Sequence, residues 1–123
     1  MPFSKDILII DFEATGNDTE NDVPVQLAAI LLDKDTLEEK SFFNSFINAD
    51  YEKIMPIVRS KISATPQDLE KAPDIASVAT AFIEKFGFDY FLSSWVTWLD
   101  MAMLQKTMDS IGVGTSRFDY HII

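Results

Sequence analysis

Ile7-Leu8-Ile9-Ile10-Asp11-Phe12-Glu13-Ala14-Thr15-Gly16 decides the fold. Four consecutive aliphatic residues, three of them Ile, predict a strand buried on both faces. Asp11 and Glu13 follow at i and i+2, and Thr15-Gly16 breaks the strand into a turn. Side chains two apart on a strand share a face, so these carboxylates should stand about 6–7 Å apart at its C-terminal end. That edge of an open α/β sheet is where ligands bind. Two adjacent carboxylates repel unless a cation sits between them, and hard divalent ions with oxygen ligands suit the pair. The competing reading is a strand that simply ends in solvent with two exposed acids.

Outward from this stretch, Val23–Leu32 (VPVQLAAILL) reads as a second strand, with Pro24 at its start where a missing N–H matters least. Asp33–Thr36 is a turn, and Glu38–Asn48 a third strand antiparallel to the second, giving an opening meander. Tyr51–Ile62 reads as irregular, split by Pro56. Thr65-Pro66-Gln67-Asp68 signals a helix start, as does Asp74 after Pro73. Ile75, Val78, Ala79, Phe82, Ile83 and Phe86 recur at helical spacing before Gly87. Phe88–Ser93 predicts a short strand, and Trp98–Ile111 a helix whose stripe includes Leu99, Met103, Leu104 and Met108. Arg117–Ile123 reads as the start of a last strand. The expected order is β-β-β-α-α-β-α-β.

The 123 residues suffice for one domain with a sizeable core, and 47% hydrophobic content argues for a globular chain. No apolar run approaches the roughly 20 residues of a membrane span, and the N-terminus lacks a signal-peptide layout. Without cysteine there is neither a disulfide framework nor a thiolate metal site. The expectation is a cytoplasmic protein with no membrane partner. Its net charge of −10 argues against a broad phosphate-neutralising surface. A nucleic-acid partner would have to be held by bound metal and a local site.

Asp100 falls in the first turn of the helix after the fourth strand. Helix dipoles favour acids there, and the sharper reading places Asp100 at the sheet edge that carries Asp11 and Glu13. Ile9-Ile10-Asp11-Phe12-Glu13-Ala14-Thr15-Gly16 resembles the first motif of the DEDD family of 3′–5′ exonucleases. Val25-Gln26-Leu27-Ala28-Ala29 is similar to the family's second strand, and Asp68-Leu69-Glu70-Lys71-Ala72-Pro73 to its D-L-x-x-A-P link. Asp100 matches its second-motif acid. The resemblance implies an α/β, ribonuclease H-like three-layer fold with a mixed sheet, in a single domain over 1–123 whose C-terminal part is missing.

It further implies that Asp11, Glu13 and Asp100 are both catalytic residues and ligands of two Mg²⁺ or Mn²⁺ ions about 4 Å apart. One ion would activate water and the other stabilise the leaving 3′ oxygen, releasing nucleoside monophosphates from single-stranded DNA or RNA 3′ ends. The backbone of Ala14, Thr15 and Gly16 would approach the terminal nucleotide. Trp95 or Trp98 could stack on a base, although a Trp beside a helix start is more often a core residue. Two departures stand out. Trp95-Val96-Thr97-Trp98 replaces the small or amide residue that normally precedes the second-motif acid. The third motif's base and fourth acid fall past Ile123, and His121, two residues after Asp119, has the wrong order to replace them. The expectation is therefore a chain that is weak or inactive alone.

Two other classes compete. A haloacid-dehalogenase-like phosphatase opens with D-x-D-x-T, which Asp11-Phe12-Glu13-Ala14-Thr15 approaches, but Glu in the second slot and the hairpin that follows fit it poorly. A catalytically dead exonuclease-like binding module is the non-enzyme alternative. A sheet edge at Ile122-Ile123 could pair with a second copy.

Overall fold

The computed structural model describes residues 3–121. The elements run β1 (Ile7–Ala14), β2 (Pro24–Leu32), β3 (Glu39–Phe46), a 3-10 turn, α1 (Pro56–Ile62), α2 (Pro66–Lys71), α3 (Ile75–Phe86), β4 (Phe91–Ser94), α4 (Thr97–Asp109), a second 3-10 turn and β5 (Asp119–Tyr120). Among the described residues the five strands form one mixed sheet in the order β3-β2-β1-β4-β5. β1, β2 and β3 pair antiparallel as the expected meander, whereas β4 lies parallel to β1 and β5 parallel to β4.

Strand alternation sorts β1 cleanly. Leu8, Ile10, Phe12 and Ala14 enter the main core with Leu27 and Ala29 of β2, beneath Val78, Ala79 and Phe82 of α3 and Met103, Leu104 and Met108 of α4. Each large aliphatic or aromatic side chain buried there contributes roughly 1.5–3 kcal/mol. The methionines of α4 are thus packing residues, as their spacing implied. Asp11 and Glu13 share the opposite face with Ile7 and Ile9. On that face Ile30 and Phe42 stay open to solvent, Phe42 at 62%.

A second core under the C-terminal end of β1 positions the site. Val25, Ile54, Ile62, Ala64 and Leu69 gather α1 and α2 against β2. Here the sequence expectation needs correction, because 56–62 is a helix rather than irregular chain. Pro56 occupies the first helical position, where its missing N–H leaves nothing unpaired and its fixed φ suits the turn. Ser63 ends α1 in the left-handed region at φ 52°. The α2 start is a capping box: Thr65 Oγ1 accepts from the Asp68 N–H at 3.1 Å, and Asp68 accepts from the Thr65 N–H at 2.9 Å. Asp74 caps α3 by accepting from the Ser77 N–H, and Gly87 closes it at φ 64°.

Two boundaries also differ. β4 begins at Phe91 rather than Phe88. Tyr90 folds its hydroxyl back onto the Gly87 carbonyl at 2.7 Å, holding 87–90 as a tight turn. Among the described residues of the expected last strand, Asp119–Tyr120 forms, preceded by a 3-10 turn at Thr115–Arg117. The edge anticipated at Ile122-Ile123 lies outside the described residues.

Candidate active site

Unequal strand lengths build the site. The β1–β4 ladder stops at Ile10–Ser94, while β1 continues beside β2 through Glu13–Gln26 and, after a register shift, to Ala14–Pro24. The last part of β1 therefore overhangs β4, and the Phe12 N–H has no strand acceptor on that side. Asp100 supplies one: its Oδ1 accepts from the Phe12 N–H at 2.9 Å. Its Oδ2 accepts from the Val96 N–H at 3.0 Å. Val96 is the N-cap residue of α4 and has no side-chain cap of its own. One carboxylate thus extends the sheet and caps the helix, and its residue is 0% exposed. An acid in this first turn also meets the positive end of the helix dipole.

Asp11, Glu13 and Asp100 share one electrostatic neighbourhood. Burial raises the carboxyl pKa of Asp100, opposed by its backbone donors and reinforced by Asp11. Burial also raises that of Glu13, with Asp11 and Asp100 adding repulsion. Asp11 is exposed, and partial desolvation raises it as well; Lys61 of α1 pulls both Asp11 and Glu13 back down. Among the described residues no hydrogen bond contributes at Asp11 or Glu13. This donor set, two unbonded hard-oxygen groups disfavoured in their charged form, fits a divalent cation. Among the described residues, however, no three acidic or imidazole side chains converge closely enough to form a cage. Asp100 faces backbone N–H groups with both its oxygens.

The turn after β1 is rigid. Thr15 is buried; its N–H donates to the Val23 carbonyl at 2.9 Å and its carbonyl accepts from the Met55 N–H at 2.8 Å. Its hydroxyl donates to Asp22 at 2.7 Å and accepts from the Val23 N–H. Its backbone groups are thus already engaged within the fold, and the adjoining cleft is lined by Ala14 at the end of β1 and by Gly16 and Asn17 of the turn. Gly16 is required by crowding, since a Cβ there would lie 2.5 Å from Asp22 Oδ2 and 2.9 Å from Met55 Sδ. Lys106 of α4 donates to the carbonyls of Glu20 and Asp22, pinning the loop from the other side.

The cleft holds about 240 Å³ between this turn and α1, with Glu13 and Lys61 on its walls and Leu99 contributed by α4. The irregular reading of Tyr51–Ile62 hid Lys61 and the apolar lip formed by Met55 and Ile57. Pro56 at a helix first position was the available signal. Trp95 and Trp98 are not core residues: they are 87% and 57% exposed at the start of α4. His121 bonds Asp119 at 2.7 Å and packs edge-on against Phe91, on the β5 side of the sheet.

Comparison with known proteins agrees with this architecture. The RNase T-type exonuclease family model matches residues 8–117. Comparison with curated proteins finds no sequence match. Among solved structures, Escherichia coli Exonuclease I in complex with a dT13 oligonucleotide superposes with a TM-score of 0.70 at 19% identity, over 86% of this chain and 24% of that one. A second Exonuclease I structure gives 0.76 at 17% identity, over 95% and 27%. The enzyme from Methylocaldum szegediense gives 0.68 at 19% identity, over 85% and 23%. The chain spans about a quarter of the length of these structures, and the likeness is one of fold. With the family model covering nearly all of β1 through the turn before β5, the chain belongs to the RNase T-type exonuclease family and has a ribonuclease H-like fold.

Proposed function

We propose that this chain carries the metal- and nucleotide-binding part of a divalent-ion-dependent 3′–5′ exonuclease acting on single-stranded DNA or RNA 3′ ends. The observation that carries the reading is the unbonded pair Asp11 and Glu13 on the overhang of β1, with Asp100 docked between them on the Phe12 N–H. Mg²⁺ or Mn²⁺ bound there supplies polarisation of water and stabilisation of the departing 3′ oxygen. Asp11 and Glu13 hold the ion, and Asp100 fixes the strand from which they project. Ala14 and Gly16 leave room for the terminal nucleotide in the cleft. Trp95 and Trp98, exposed at the same rim, offer faces on which an unpaired base can stack.

Two observations favour binding with slow turnover for the chain by itself. The acids do not complete a three-carboxylate cage among the described residues, and His121, the sequence's one imidazole, is occupied by Asp119. The test is incubation of a 5′-labelled single-stranded oligonucleotide with Mn²⁺ or Mg²⁺. Slow, stepwise shortening from the 3′ end is expected, blocked by a 3′-terminal phosphorothioate and abolished by Asp11→Asn. Calorimetric binding of a nucleoside monophosphate with Mg²⁺ but without any shortening would support the binding-module alternative. Absence of both binding and shortening defeats the proposal.

A further inference from the structure

Lys61 has no role in the chemistry described so far. It sits in the last turn of α1, exposed, and among the described residues is the one Lys or Arg on the walls of the 240 Å³ cleft. It is close enough to Asp11 and Glu13 to act on both. Yet among the described residues it forms no ion pair, unlike Lys5, Lys40 and Arg59. In a chain of net charge −10 this is a cation that shares a cleft with Glu13 and forms no ion pair among the described residues.

The cleft around it is chemically divided. Its lining combines one acid, Glu13, one cation, Lys61, and apolar side chains that include Met55 and Ile57, the last 61% exposed. A nucleotide has the matching division: a dianionic or diester phosphate at one end and a flat, largely apolar base at the other. Lysine suits a phosphate as a mobile point charge. A phosphate drawn toward two carboxylates is repelled unless positive charge faces it, and Lys61 is the cleft residue that supplies such charge.

Building on the nuclease reading above, we infer that Lys61 is a phosphate-binding residue of the cleft, selecting a phosphate-bearing terminal nucleotide and positioning it over Asp11 and Glu13. It contacts the substrate phosphate directly and takes no proton, which makes it a substrate-binding residue.

The experiment compares wild type, Lys61→Gln and Lys61→Arg, with thymidine 5′-monophosphate and a fluorescein-labelled oligothymidylate as probes in Mg²⁺ buffer. Lys61→Gln should weaken both probes roughly two- to fivefold, the range available to an exposed ion pair. Its plot of log affinity against log salt should be shallower by about 0.7, one phosphate contact on a single strand. Lys61→Arg should restore both affinity and slope, and all three proteins should share one urea midpoint. Equal affinity and slope in wild type and Lys61→Gln overturn the inference while leaving the nuclease reading intact. If wild type binds neither probe, the nuclease reading falls and the inference with it.

Discussion

Removing the Asp100 carboxylate should damage the fold before it damages any chemistry. Asp100→Ala leaves two N–H groups without acceptors. The Phe12 N–H is in a fully buried bond of 2.9 Å, and orphaning it costs about 1–3 kcal/mol. The Val96 N–H lies in a partly buried bond of 3.0 Å where water can substitute, costing about 0.5–1.5 kcal/mol. The expected loss is about 2–4 kcal/mol, a large share of the roughly 5–15 kcal/mol that holds a domain together. Asp100→Asn keeps one acceptor oxygen but turns an NH₂ toward the other donor, so it should lose about half as much. Urea unfolding in chelator should rank wild type above Asn above Ala. Hydrogen exchange at the Phe12 amide should be slow in wild type and fast in Asp100→Ala. A variant within about 0.5 kcal/mol of wild type, with Phe12 still protected, would refute the reasoning. The two backbone contacts of Asp100 would then contribute nothing measurable to stability.

Three further outcomes follow from the same geometry. Asp11, Glu13 and Asp100 have raised folded pKa values, so the native state binds more protons than the unfolded one above the ordinary values of 3.8 and 4.5. In chelator, wild type should therefore lose stability relative to Asp11→Asn as pH rises through the raised values. The gap should close as pH falls toward 3.8, and Mg²⁺ should lift the melting temperature of wild type alone; parallel melting curves at every pH would count against it. Asp6 and Asp119 behave oppositely: side-chain hydrogen bonds with Lys40 and with His121, respectively, are the largest causes lowering them, so their contribution is present above 3.8 and lost as pH falls through their folded values. Gly16→Ala should cost about 1–3 kcal/mol in urea unfolding and weaken nucleotide binding, because Asp22 is fixed by the Thr15 hydroxyl and the Asp18 N–H and cannot yield to a Cβ. Ser63→Gly should stabilise the chain by about 1 kcal/mol in thermal melts, since φ 52° suits glycine, and an unchanged melting point would argue against strain at this helix end.

Local chemistry made much of this protein legible in its sequence. The apolar run into Asp11 and Glu13, the meander, the capped start at Thr65 and the Phe82–Gly87 helix end are each set by residues within a few positions, where periodicity and capping act directly. The 56–62 helix is not legible locally because Pro56 breaks a helix from within and starts one from its first position, and the neighbouring residues do not distinguish the two. Other features depend on contacts distant in sequence. The length difference between β1 and β4 leaves the Phe12 N–H bare, and only the folded chain brings Asp100, 88 residues away, onto it. Likewise the crossing of α1 over the end of β1 sets Lys61 against Asp11 and Glu13. Sequence patterns specify which faces are apolar and where elements begin, whereas the ends of unequal strands, and what fills them, are settled by packing.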